Sequence, residues 1–110
     1  MQPEDEVRLR HLVDAATTAV GFVEGRDRRD LDGDEMLRLA LTKLVEIVGE
    51  AAKQMSESGR TDLPDVPWAA AARMRDRLVH HYFDIDLDVL WATVTIDLVE
   101  LLRVVGKSPA

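Results

Sequence analysis

Arginine, histidine and tyrosine crowd into one stretch of this chain, Met74-Arg75-Asp76-Arg77-Leu78-Val79-His80-His81-Tyr82-Phe83, where they stand beside apolar anchors. Arg75 offers planar donors suited to a phosphate, and His80, with a reference pKa of about 6.5, can take or give a proton at neutral pH. A base to activate a 2′-hydroxyl against the adjacent phosphorus, and a cation to hold the oxygens on which charge develops, are the parts needed to cleave RNA without a metal. The residues alone make that chemistry feasible and no more. Tyr82, beside Phe83, reads by itself as a core edge with a hydrogen-bonded hydroxyl. His81 could assist proton transfer, although a solvent-facing position suits it better.

Position decides whether such groups can cooperate. If the stretch is helical, Trp68, Ala71, Ala72, Met74, Leu78 and Val79 share one broad apolar face with Arg75 in its middle. An unpaired guanidinium there is costly, so Arg75 is expected to meet a carboxylate, a second subunit or an anionic ligand. His80 falls about 140° further round the same helix, so one subunit does not easily aim both groups at one atom.

Four principal helices are expected to carry this stretch. The first spans about Asp5 to Glu24, with Leu9, Leu12, Val13, Ala16, Ala19, Val20 and Val23 at helical spacing and Gly25 as its stop. His11 lies near that stripe and is better placed for a structural or exposed role than a catalytic one. Gly25 to Gly33 reads as a charged surface loop. The second helix, about Asp34 to Ser58, carries Leu37, Leu41, Leu44, Val48, Ala51 and Met55 in alternating steps of four and three. Gly49 inside it suggests the close approach of another helix. Glu46, Glu50 and Lys53 form either an exposed face of ion pairs or, for Glu50, an inward partner for an arginine of the 74–83 stretch.

Gly59 is expected to end the second helix, and Arg60 to Val66 to form a loop. Asp65 as N-cap and Pro67 in the first turn open a third helix that runs into the Arg75 stretch. Asp84, Asp86 and Asp88 mark a break and a fresh N-cap. Calcium is a poorer explanation of those aspartates, because the glycine and terminal glutamate of a calcium loop are missing. A fourth helix, about Asp86 to Val105, has a seam of Leu87, Leu90, Trp91, Val94, Leu98, Leu101 and Val105. It also has apolar residues outside that seam: Val89, Ile96, Val99 and Leu102. A helix apolar over more than one face has more to bury than a small bundle covers, which favours a homodimer. Gly106 to Ala110 reads as a frayed tail.

Composition bounds the function. At 110 residues, the chain is expected to be a single helical domain, residues 1–110. The absence of cysteine excludes disulfides and thiolate metal sites. Nothing approaches the roughly 20 apolar residues of a membrane span, so a soluble cytoplasmic protein is expected. No phosphate-cradling glycine loop or zinc-binding helix occurs, and neither a metal nor another cofactor is expected. A net charge of −7 argues against a broad grip on nucleic acid. Basic residues nevertheless cluster twice: Arg73, Arg75 and Arg77 in one segment, and Arg26, Arg28 and Arg29 in a loop. Each cluster is either a solvated face or part of a local basic cleft.

The spacing Arg75, four residues, His80, one residue, Tyr82 resembles the Arg-x4-His-x-Tyr signature of the HepT-like branch of the HEPN superfamily, small helical ribonuclease toxins. Met74 to Trp91 resembles the family's second half, Glu46 to Lys53 its other characteristic block, and His11 to Ala16 with Phe22 its opening helix. The resemblance covers nearly the whole chain. It implies an all-α, four-helix up-and-down bundle with room for an additional short helix, assembled as a homodimer whose facing sites let Arg75 of one chain work beside His80 of the other. It implies a metal-independent endoribonuclease toxin of a type VII-like toxin–antitoxin pair, acting on RNA and leaving a cyclic phosphate. Tyr82 would accept AMP from a minimal nucleotidyltransferase antitoxin, and the added bulk and negative charge would block the site. Asp76, Glu50 and Arg77 would support the catalytic pair. Asp76 stands where the family carries a small polar residue, often asparagine. It could orient Arg75 or His80, and it also adds a negative charge near the scissile phosphate. An alternative of another class is therefore a non-catalytic HEPN subunit that binds nucleotide or presents substrate to a nucleotidyltransferase.

Overall fold

The computed structural model describes residues 1–81 and 84–107, with the backbone alone for His80, His81 and Lys107. The fold is all-α, built as four helical limbs. Helix α1 (Pro3–Val23) opens with proline in its first turn followed by Glu4, Asp5 and Glu6, which favour a helix N-terminus sterically and electrostatically. It stops where Gly25 takes φ +74°, as the sequence predicts. The supposed loop that follows contains a short helix, α2 (Asp30–Gly33), and its Leu31 is completely buried. One apolar residue suffices to pin that segment. Arg38 secures it from below, donating from Nη1 to the carbonyls of Leu31 (2.7 Å) and Asp32 (3.1 Å).

Helix α3 (Glu35–Gln54) begins at Asp34, whose carboxylate accepts from the Leu37 N–H at 2.9 Å. Its buried face includes Leu37, Leu41, Val45, Val48 and Ala52 and packs extensively on Leu12, Ala15, Ala16 and Ala19 of α1. The helix ends at Gln54, with Met55 as its C-cap, short of the expected end near Ser58. Ser56 then caps a separate helix, α4 (Glu57–Asp62), by accepting from the Gly59 N–H. The break is tertiary in origin. Asp5 of α1, 1% exposed, accepts from the Ser56 N–H at 2.9 Å and from its hydroxyl at 2.5 Å. Gly59 consequently lies inside α4 rather than ending a helix, and a Cβ there would sit 2.7 Å from Asp5 Oδ2. Arg60 folds back to donate to the Ala52 and Lys53 carbonyls at the end of α3.

The third limb is two short helices. Trp68 donates its indole N–H to the Leu63 carbonyl at 3.0 Å, fixing the entry to α5 (Trp68–Ala72), with Pro67 rather than Asp65 at the N-cap position. Gly49 of α3 meets this limb. A methyl group on it would lie 3.5 Å from the Ala71 and Ala72 carbonyl oxygens, which is ordinary contact, so the close approach exists but leaves space for alanine. Arg73 then departs from helical geometry (φ −100°, ψ 2°), and α6 (Met74–Leu78) follows.

The helix does not continue through His80. Val79–His81 forms β1, which pairs antiparallel with β2 (Asp84–Ile85) across an irregular register, Val79 opposite Ile85 and His81 opposite Asp84. The Asp86 N–H closes the base of this hairpin on the Leu78 carbonyl at 2.7 Å. Asp86 also caps the last limb through the Val89 N–H (3.1 Å).

That limb comprises α7 (Leu87–Ala92), a π-helical turn (Thr93–Asp97) and α8 (Leu98–Lys107). Leu90, Val94, Leu98 and Leu101 are buried, while Ile96 is 64% and Val99 45% exposed. Of the apolar residues outside the seam, Ile96 and Val99 thus face outward in the single chain, while Val89 and Leu102 pack against the core. Gly106 belongs to α8 rather than to a frayed tail, and residues 108–110 lie outside the described ones.

The Asp5 node is testable. Its hydrogen bonds to Ser56, with Arg8 nearby, hold the Asp5 carboxyl below the usual aspartate range. A depressed folded-state pKa contributes stability that is present above the unfolded value and is lost as pH falls through the folded one. Acid titration of stability should therefore show a steeper loss for the parent than for Asp5→Asn, which starts less stable. Gly59→Ala, which in an open helix would gain up to about 1 kcal/mol, should instead destabilise by about 1 to 3 kcal/mol in denaturant unfolding, because the carboxylate cannot move away.

Candidate active site

The described part of the signature, Arg75 to His80, straddles a junction between helix α6 and strand β1. Its first half lies on α6, whose Met74 and Leu78 are buried and whose Arg75, Asp76 and Arg77 are exposed. Arg75 does not occupy an apolar face. The step at Arg73 rotates α6 relative to α5, so Met74 and Leu78 take the buried positions and the guanidinium reaches solvent, its side chain 54% exposed. Its nearest carboxylate is Asp76, at 4.0 Å, a loose and solvated pair. His80 lies on β1, so the helical angle between it and Arg75 does not apply. The His80 side chain and all of Tyr82 lie outside the described residues, as does Phe83.

The supporting residues divide. Arg77 pairs with Asp97 of the π-helical turn, Nη2 to Oδ2 at 3.4 Å. Nothing in the sequence advertises Asp97, which stands 20 residues away and is brought round by the return of the last limb. Glu50 is exposed and does not pair with the signature arginines, and no ion pair joins Glu46, Glu50 and Lys53 among the described residues. With Glu46, Lys43 and Ile47, Glu50 lines an open cleft of about 360 Å³ between α1 and α3, across from Arg8 and the exposed His11. A second cleft, of about 330 Å³, lies between the first turns of α3 and the hairpin, where Arg38, Leu39 and Thr42 face Asp84, Ile85 and Leu87.

Charge separates the two arginine clusters. In the loop, Arg26 pairs with Asp34 (3.4 Å), Arg29 with Asp27 (3.4 Å), and Arg28 with both Asp88 (2.7 Å) and Asp32 (3.2 Å). The carboxylates on either side raise the Arg28 pKa above its ordinary value. Arg26 and Arg28 join the α1–α3 connection to itself and to α7, while Arg29, its side chain 88% exposed, pairs only with its neighbour Asp27. The α6 cluster, by contrast, is exposed and thinly paired. Among the described residues, no group of histidines and acidic residues could hold a metal ion, and no helix is long and apolar enough to cross a membrane.

The sequence profile of the family described as ribonuclease HepT-like matches residues 12–107, and the chain belongs to that family. It is similar to the "Probable ribonuclease HepT" of Thermococcus cleftensis, 35% identical over 98 residues, which are 89% of this chain and 84% of the relative. A candidate RNase of Caldanaerobacter subterraneus subsp. tengcongensis is 32% identical over 90% of this chain and 88% of its own length. Another, of Methanocaldococcus jannaschii, is 30% identical over 86% of this chain and 87% of its own length. No solved structure matches the chain significantly.

The exposure of Arg75 has a direct consequence. Arg75→Ala should change unfolding free energy by no more than about 0.5 kcal/mol, the usual range for a solvated position. A loss of several kcal/mol, as for a charge partner in a core, would contradict the exposed placement.

Proposed function

We propose that this protein is an endoribonuclease toxin that cleaves RNA through the 2′-hydroxyl, with His80 as proton-transfer group and Arg75 as the cation that stabilises charge on the phosphate. One observation carries the proposal beyond family membership: the signature arginine is solvent-exposed and only loosely paired at 4.0 Å, so its donors are available to an anionic ligand. An arginine consumed by a structural ion pair, like Arg28, would not serve. Tyr82 is the acceptor for AMP from a partner nucleotidyltransferase, which silences the toxin by placing a phosphate beside Arg75 and His80.

The working unit is a homodimer. Ile96 and Val99 face outward on the last limb, the same limb whose Asp97 holds Arg77, so association there would adjoin the signature helix. A non-catalytic subunit is the competing reading, and the Asp76 carboxylate next to Arg75 is what favours it, since a phosphate would have to displace that contact.

Cleavage of an RNA substrate by the purified chain tests the assignment. His80→Ala should lower the rate by about 10² to 10⁴-fold, the usual share of a general acid or base, with the fold retained by circular dichroism. An unchanged rate would remove His80 from the mechanism. Tyr82→Phe should still cleave RNA while escaping co-expressed nucleotidyltransferase, with no mass increase from AMP; acquisition of AMP by that variant would place the modification elsewhere. Light scattering should report a dimer at micromolar concentration, reduced to monomer by Ile96→Glu with Val99→Glu.

A further inference from the structure

We infer that Arg73, together with Arg77 one turn further on, forms a phosphate-holding ledge that guides single-stranded RNA into the Arg75 site; the inference rests on the ribonuclease reading above. Most arginines of this acidic chain are already engaged. Arg26, Arg28 and Arg29 are paired with aspartates, Arg103 with Glu100, and Arg38 and Arg60 with backbone carbonyls. Arg73 is exposed and has no ion-pair partner among the described residues. It stands at the step between α5 and α6, where its carbonyl accepts from the Arg77 N–H at 3.3 Å. That bond sets the two arginines one turn apart along one side of α6, and Arg75, midway between them in sequence, projects from the other side.

The exposed rim of α6 therefore presents guanidinium groups on both flanks, with the Asp76 carboxylate between them and Arg77 paired with Asp97 at 3.4 Å, each side chain of that pair partly in solvent. Successive phosphates of an extended strand could engage Arg73 and Arg77 while the reacting phosphate lies at Arg75. Guanidinium matches phosphate oxygens with paired donors, so the interaction requires no particular base. The sequence cluster Arg73, Arg75 and Arg77 thus divides into one reacting-site cation and two that hold the strand.

Binding of a 2′-O-methyl oligoribonucleotide, which cannot be cleaved through its blocked hydroxyl, isolates this role from catalysis. Measured by anisotropy across a salt series, Arg73→Ala should lower the magnitude of the log–log salt slope by about 0.7, the single-strand value for one phosphate contact, and the double variant with Arg77→Ala by about 1.4. Arg73→Lys should keep the slope. Arg10→Ala, which removes another exposed arginine from α1, should leave it unchanged. With cleavable RNA, Arg73→Ala should raise KM while kcat is retained. If the parent binds and cleaves RNA but the slopes of Arg73→Ala and the double variant match the parent's, the ledge is refuted and the ribonuclease assignment stands. A slope that falls equally for Arg10→Ala refutes the ledge in favour of diffuse charge. A parent that neither binds nor cleaves RNA refutes both.

Discussion

A guanidinium cannot be buried without a partner, and the signature limb must bury apolar surface while carrying three arginines within five residues. A single straight helix from Trp68 onward cannot do both, because Arg75 would share the face of Trp68 and Ala71. The step at Arg73 resolves the conflict. It lets Trp68 and Ala71 face the core from α5 and Met74 and Leu78 face it from α6, while every arginine reaches water. The irregularity that weakens the helix is thus what makes its cations available to an anion, and it leaves α6 short enough for the chain to turn into the hairpin at Val79.

The short helices are held by contacts outside themselves. A five-residue helix has almost no stability of its own, since nucleation is unfavourable and few hydrogen bonds repay it. Helix α5 is therefore anchored at its entry by Trp68 on the Leu63 carbonyl, and along its side by the surface of α3 at Gly49. Leu63 in turn follows α4, whose start is set by Ser56 and the buried Asp5. A chain of local constraints thus runs from the first turn of α1 through α4 to the signature limb. Changes at Asp5 or Gly59, far from the signature in sequence, act on the elements that present it.

The long helices were legible because their signals are local. Asp34 and Asp86 cap where their positions suggest, Gly25 ends α1 in the left-handed region, and the spacing of Leu37, Leu41, Val48 and Ala51 identifies the buried face of α3. Local signals fail where a distant partner decides. Nothing near Ser56 announces that Asp5, 51 residues away, will break the helix there. Leu31 is buried although its neighbours are charged, because Arg38 and the Arg28 ion pairs satisfy the polar groups around it. Helical periodicity places Arg75 on an apolar face only because it runs across a step that packing alone reveals. The signature itself was visible as spacing, but not the junction it spans: β-pairing of Val79 to Ile85 depends on the chain returning on itself.

Net negative charge and an anionic substrate are compatible when the compensation is local. The acidic residues of this chain are not uniformly distributed against its basic ones. Asp27, Asp32, Asp34 and Asp88 each pair with an arginine of the α1–α3 connection, most closely at Arg28. On α6 the same residue type is opposed only by Asp76 at 4.0 Å and Asp97 at 3.4 Å, both across solvated contacts that contribute little. A phosphate brings a denser negative charge and better-matched oxygens than either side chain, and can displace them. Selective pairing of arginines, rather than their number, is what lets a chain with a net charge of −7 keep exposed guanidinium groups on α6.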